Sequence, residues 1–457
     1  MAKANTGTAQ DNRLVYLDQA MFDAMRAGKR AQLMQCLWIY EHPVDFDALQ
    51  QFHHDLNGTF AGRLIQRSPL PFGRHRWVSG IGTECAMDVE STPRSRADLS
   101  DWTDEQAARP IDPEHGPGWR LAVLPMTDGS TAISLVASHC MADGVAGIVS
   151  VICAAKGESL NFGYPPPRAR TVRARLRASR TDIAATARDL PEVFRTVGAA
   201  TRLILRRRHE LARPATASEP VAQAGSTRVV TVPAISVFLD VEQWDARAKS
   251  LGGNTYSLLA GFAARLGDRM GRRGGEDGSV NLLLALSERS LDDTRANAMT
   301  IGNVGVDPTR VTSDLSSARS AIRTAIQTRR EGPDESAMFL PLIPFVPRRA
   351  LTRLSDAFVG AAGLPVSCSN MGELDPAFSR VDGTDAEYVV MRGIDQNVVE
   401  HEIVSAGGHL VLVSGRLAGK VSISIVGYQP GAANTKAWLR ELTTQVLDEF
   451  DLTGTVV

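Results

Sequence analysis

Ser138-His139-Cys140-Met141-Ala142-Asp143-Gly144 is the stretch of this 457-residue chain on which the fold turns. Residues 119–126 (WRLAVLPM) and 131–138 (TAISLVAS) are two apolar runs of strand length, and the Thr-Asp-Gly-Ser between them is a good hairpin turn. After the loop, 144–155 (GVAGIVSVICAA) reads as a helix packed on a sheet, with Asp143 placed to cap it. A histidine is thus expected at a strand end, with an aspartate opening the following helix. A random chain of this composition would show His-x-x-x-Asp-Gly about 0.04 times.

Two plain readings compete with a chemical one: His139 as an ordinary loop histidine and Asp143 as an ordinary N-cap. Acyl transfer from a thioester would use the placement differently. The acceptor's hydroxyl or amine must lose its proton as it attacks the carbonyl, and a neutral imidazole with a pKa near ~6.5 is suited to take it. Asp143 could orient the loop without touching a substrate. Cys140 stands beside this base, but nothing around it in sequence points to a lowered pKa, so nucleophilic catalysis is not expected of it. His53 and His54 fall in a polar part of a helix and read as surface residues rather than metal ligands.

Outward from the motif, 31–40 reads as a buried strand and 45–64 has the apolar spacing of a helix. Strand character returns at 228–240, 280–290, 364–369, 398–405, 408–415 and 420–427, with helices at 255–271 and 435–450. Composition changes after Tyr164: between Pro165 and Ala215 there are thirteen Arg against four acids, and a polar linker-like piece follows at 213–227. Three units are expected: an N-terminal lobe over 1–165, an Arg-rich crossover helix and linker over 166–227, and a C-terminal lobe over 228–457. The basic stretch over 168–213 has three readings. It serves as a solvated crossover helix, as a peripheral contact with an anionic membrane, or as an attractant for an acidic carrier protein or coenzyme A phosphates.

Bulk properties narrow the function. The formal net charge is −1 and aromatic residues make up 6%, which argues against a nucleic-acid partner. Five cysteines at wide spacing, with no Cys-x-x-Cys pair, argue against both a disulfide framework and a zinc site, so no metal is expected. The polar N-terminus lacks a signal-peptide core and no apolar run reaches the roughly 20 residues of a membrane span. A cytoplasmic location is expected, with peripheral contact at the inner membrane face left open.

The motif resembles His-His-x-x-x-Asp-Gly, the active-site signature of the condensation-domain and chloramphenicol-acetyltransferase-like superfamily. LVYLDQAMFDAM (14–25) and LPFGRHRWV (70–78) look like the opening segments of its wax ester synthase/diacylglycerol acyltransferase branch. ALSERS (285–290), NAMTIGNVGV (297–306) and LPVSCSNMGELDP (364–376) are similar to later family segments in the same order. The resemblance implies an α/β fold of two chloramphenicol-acetyltransferase-like lobes in a V, each a mixed sheet with helices, around a tunnel. It implies His139 as general base and a salt bridge between Asp143 and Arg289. Gly144 would let the backbone pass close to the thioester. Ser369 and Asn370 would line the acceptor side, and Ser138 replaces the family's first histidine. The donor would be acyl-CoA or a phosphopantetheinyl thioester, with an acyl carrier protein as one source and no other cofactor. The Asn-Asp pair of many wax ester synthases is absent, TYSLLAG standing in its place, and that helix looks closer to condensation domains. A carrier-dependent condensing enzyme and a non-catalytic acyl-binding relative are the alternatives to a free-standing acyltransferase.

Overall fold

The computed structural model describes residues 12–28, 30–83, 85–167, 180, 182–184, 186–198, 202, 227–274, 277–290, 292–331, 337–346 and 364–457. Most of the Arg-rich stretch, and all of the linker but its last residue, lie outside the described residues.

The hairpin expected around the motif is present. Strands Trp119–Pro125 and Thr131–Ser138 pair antiparallel, and Thr131–Ser138 pairs on its other side with Gln32–Tyr40. These form the centre of a five-stranded mixed sheet, closed at one edge by the short Asp88–Val89 and at the other by Tyr388–Asp395 from the second half of the chain. Two apolar layers sandwich the sheet, which is why its strands read as nearly unbroken hydrophobic runs. Trp38, Ile133 and Leu135 face helices Phe46–Asp55 and Gly144–Ala155, and Leu37, Ala132 and Leu124 face Trp102 of helix Leu99–Ala108.

A second, seven-stranded mixed sheet runs in the order Met299–Val306, Val280–Ser287, Val366–Glu373, His409–Leu417, Lys420–Tyr428, Ala234–Asp240, Gly454–Val456. Helix Thr255–Arg269 packs on it with ten buried residues, and helices Val241–Ser250, Ser316–Glu331 and Lys436–Glu449 complete that layer. Strand Val280–Ser287 alternates between buried and half-exposed positions, as expected where one face is fully covered. The lobes meet where Tyr388–Asp395 lies against the second sheet: Phe238 touches the Tyr388 ring at 5.0 Å, and Lys420 sits over it at 5.1 Å.

Two expected elements differ. The helix over 45–64 stops at Asp55 and gives way to two single 3₁₀ turns and strand Arg63–Gln66. Gly62 permits the tight path that follows, because a Cβ there would stand 1.8 Å from the Asn57 carbonyl oxygen. The strand expected over 398–405 is a two-residue strand, Val398–Val399, followed by helix Glu400–Ser405. Asn397 turns the chain with φ 56, and Glu400 and Glu402 sit in the first turn, where a helix N-terminus favours acids. No described helix is long and apolar enough to cross a membrane.

Candidate active site

The His139 loop is fixed through its backbone. The Ser138 amide donates to the Gly118 carbonyl (3.1 Å), the His139 amide to Gln32 (2.9 Å), the Met141 amide to Ser138 (3.0 Å) and the Asp143 amide to Ala296 (2.8 Å). His139 is half-buried at the end of strand Thr131–Ser138, between a buried Ser138 and a buried Cys140. Its Nδ1 is shielded from solvent and has no hydrogen-bond partner among the described residues.

Asp143 and Arg289 are brought together in a buried pair, Nη2 to Oδ2 at 2.9 Å, with side chains only 4% and 6% exposed. The other Asp143 oxygen caps helix Gly144–Ala155 by accepting from the Ala146 amide (2.8 Å), and Oδ2 also accepts from the Ala298 amide (2.8 Å). Both carboxylate oxygens are thereby committed, and neither bonds to the histidine ring. Arg289 also donates to the carbonyls of Asp293, Arg295 and Ala296, folding the 293–296 loop around its guanidinium.

Three further groups hold the same loops, and sequence reasoning assigned no role to any of them. Asp18, fully buried on helix Tyr16–Gly28, accepts from the Ala296 amide (2.9 Å) and from both the amide and side chain of Asn297 (2.8 and 3.1 Å). Asn297 Nδ2 in turn reaches the His139 carbonyl at 3.4 Å. Arg63 donates to the carbonyls of Met141 and Thr294, both at 2.7 Å, with its guanidinium over Trp77 at 3.8 Å. The Phe60 ring separates the two buried cations, lying 4.7 Å from the Arg63 guanidinium and 5.1 Å from that of Arg289. Burial raises the Asp18 carboxyl above its ordinary range against the pull of these hydrogen bonds and of Arg63. The available signal was placement: Asp18 and Asn297 both lie in stretches singled out by resemblance, and an acid among apolar residues of a helix is costly to bury without a partner.

Replacing Asp18 by alanine strands buried donors on residues 296 and 297, which should cost on the order of 1–3 kcal/mol in unfolding midpoint measurements. Turnover measured well below that midpoint should fall with KM little changed, because the loop under His139 loses its anchor. An unchanged kcat would show that the anchor is purely structural.

Ser369 and Asn370 lie on strand Val366–Glu373 of the second sheet. Asn370 Oδ1 accepts from the Gly372 amide (3.0 Å) at a register shift, where Gly372 adopts φ +71. The next residue, Met371, packs against Gly144: a Cβ there would stand 3.0 Å from the Met371 sulfur. The end of this strand and the start of helix Gly144–Ala155 therefore meet directly, bringing the 369–371 segment to the His139 loop from the opposite lobe. Ser138 Oγ accepts from the Cys140 amide at 3.3 Å, a turn-closing role inside the loop.

Cys140 is 2% exposed, and burial pushes its thiol up to about 12. A thiol in that state is inert at neutral pH. Cys140→Ala should retain turnover within a few-fold, and iodoacetamide should leave Cys140 of the native protein unlabelled in peptide mass mapping.

What the arrangement offers is one imidazole without a carboxylate partner among the described residues, on a loop held by backbone hydrogen bonds between two lobes, beside the amino end of a capped helix. Residues 46–241 match the wax ester synthase/diacylglycerol acyltransferase catalytic domain. No curated protein is similar enough in sequence to match. Among solved structures the chain is similar to the wax ester synthase/diacylglycerol acyltransferase from Marinobacter aquaeolei VT8, with 14% identity, 96% of this chain and 98% of that one covered, and a TM-score of 0.56. It is similar to the first condensation domain of the CDA synthetase, with 13% identity, 97% coverage of both chains and a TM-score of 0.56. The starter condensation domain of rhizomide synthetase, solved in complex with C8-CoA and Leu-SNAC, gives 14% identity, 97% coverage of both and a TM-score of 0.52. At these identities the shared property is the fold. The mixed α/β architecture is that of condensation domains and of the wax ester synthase, the superfamily the sequence resembles.

Proposed function

We propose that this chain is an acyltransferase of the condensation type. It moves an acyl group from a thioester to a hydroxyl or amine of a lipid or small molecule, with His139 as general base. The observation that carries the reading is the state of His139: its backbone is pinned, and its Nδ1 is enclosed with no hydrogen-bond partner among the described residues, so we assign Nε2 to the substrate. Because both Asp143 oxygens are engaged elsewhere, the base works as a single imidazole rather than as part of a histidine–carboxylate dyad.

The acceptor's O–H or N–H gives its proton to Nε2 as the new bond to the thioester carbonyl forms. The tetrahedral adduct then expels the thiolate, which takes the proton back from the imidazolium. The enzyme carries no covalent intermediate, and the thioester is the only activated group the reaction needs. We assign the 1–165 and 228–457 lobes as the two walls of a V, with donor and acceptor entering its tunnel from opposite sides. Ser369 and Asn370 lie on the acceptor side. The match over residues 46–241 supports the acyl chemistry, and the C8-CoA held by the rhizomide neighbour supports a thioester donor. A reducing cytoplasm fits five free cysteines.

The test is thiol release from acyl-CoAs of increasing length, each offered with a panel of alcohols and amines, run beside the same acyl chains on an acyl carrier protein. Release that requires an acceptor supports the reading. Turnover with carrier-bound acyl groups alone makes the chain a carrier-dependent condensing enzyme. Acyl binding without release from any donor makes it a non-catalytic relative and sinks the proposal.

A further inference from the structure

Within the Arg-rich stretch, residues 182–184 and 186–198 are helical, and the helix carries three distinct faces. The first is docked. Asp182, 3% exposed, accepts from Ser68 Oγ and from Arg76 (2.9 Å), while Asp189 pairs with Arg13 (3.1 Å) and Arg74 (3.8 Å); Val193 and Thr196 are buried on the same side. The second face is apolar and open: Ile183 is 55% exposed and Phe194 69%, with Leu190 also exposed, spaced seven and four apart so that they align. The third carries Arg188 and Arg195, seven apart and both exposed.

Surface apolar groups of this size are ordinary when scattered. Here they cluster. Of the eleven large hydrophobic residues exposed among the described residues, four belong to this helix, and two more, Phe72 and Phe345, stack on each other at 6.2 Å. Phe72 lies in the 68–76 loop, the loop whose Ser68, Arg74 and Arg76 grip the helix. The charge balance points the same way. The two acids nearest the apolar face, Asp182 and Asp189, are neutralised by arginines of the N-terminal lobe, which leaves Arg188 and Arg195 facing outward against one exposed acid, Glu192.

We propose that this helix is an interfacial anchor by which the protein sits on an anionic lipid bilayer. Ile183, Leu190 and Phe194 would enter the headgroup boundary, and the flanking arginines would pair with lipid phosphates. An aligned apolar face rimmed by arginines is the arrangement that lies in a bilayer surface. A protein partner such as an acidic carrier would match the arginines but leaves the open phenylalanine and isoleucine without a purpose. The docked face keeps the helix on the lobe when the opposite side is in lipid. The inference is independent of the reaction assigned to His139.

Flotation of the full chain with vesicles of phosphatidylcholine alone, or of phosphatidylcholine with phosphatidylglycerol, tests it. The protein should float with the anionic vesicles and be released by salt. Arg188→Gln and Arg195→Gln should each weaken binding about fivefold on anionic vesicles only. Phe194→Ser should weaken it about tenfold on either lipid. All three positions are exposed, so melting midpoints equal to the parent's confirm intact folding. Failure to float with anionic vesicles overturns the proposal, as does flotation indifferent to all three variants. Capture of an acidic carrier protein, lost in the arginine variants without any vesicle binding, assigns the face to a protein instead.

Discussion

His139→Ala should lose between about a hundred- and ten-thousand-fold in turnover, the range general-base catalysis supplies, while its melting midpoint stays with the parent's. Both halves follow from the geometry. The loop is held by the His139 amide on Gln32 and the His139 carbonyl under Asn297, and alanine keeps both. The ring is half-buried with Nδ1 unpartnered, so its removal breaks no hydrogen bond among the described residues. Thiol release under saturating donor and acceptor, with a thermal melt of the same preparation, checks the pair. Parental turnover in the folded variant would remove His139 from the mechanism.

The opposite split is expected at Asp143 and Arg289. Removing one member of a buried ion pair leaves an uncompensated charge, a loss of about 3–5 kcal/mol. Asp143→Ala also uncaps helix Gly144–Ala155 at the Ala146 amide, which adds about 1 kcal/mol. Arg289→Met should be comparably severe, because three carbonyls of the 293–296 loop lose their donor along with Asp143. Turnover falls in both as a consequence of a loosened loop. The sharper measurement is the double variant. If the pair is architectural, its urea midpoint should lie above that expected from adding the two single losses, since no charge is then left alone. Strict additivity would mean that the two side chains act separately.

Much of this was legible beforehand, for a definable reason. Strand 131–138, the loop and helix 144–155 are local: apolar periodicity and a capping aspartate decide them without help from distant residues. The pairing of Asp143 with Arg289 was reachable only through resemblance, because 146 residues separate partners whose contact depends on how two lobes close. Asp18, Arg63 and Asn297 escaped for the same reason more strongly. Asp18 and Asn297 lay in stretches marked by resemblance, but the value of all three appears only when helix Tyr16–Gly28, strand Arg63–Gln66 and the 293–298 loop converge under His139. Strand Tyr388–Asp395 was missed although its YVVMRGID carries a strand's composition. Arg392 in its middle argues against burial, yet it is buried, bonded to Gln35 (2.8 Å) and Asp104 (2.8 Å).

That strand sets a schedule for the newborn chain. Gln32–Tyr40, an apolar edge strand with Gln35 waiting for a guanidinium, leaves the ribosome about 350 residues before the strand that covers it. At about 5–20 residues per second, that is roughly 20–70 seconds during which an adhesive sheet edge stands unpaired. The N-terminal sheet is therefore not a finished unit until Tyr388–Asp395 has been made and docked against it.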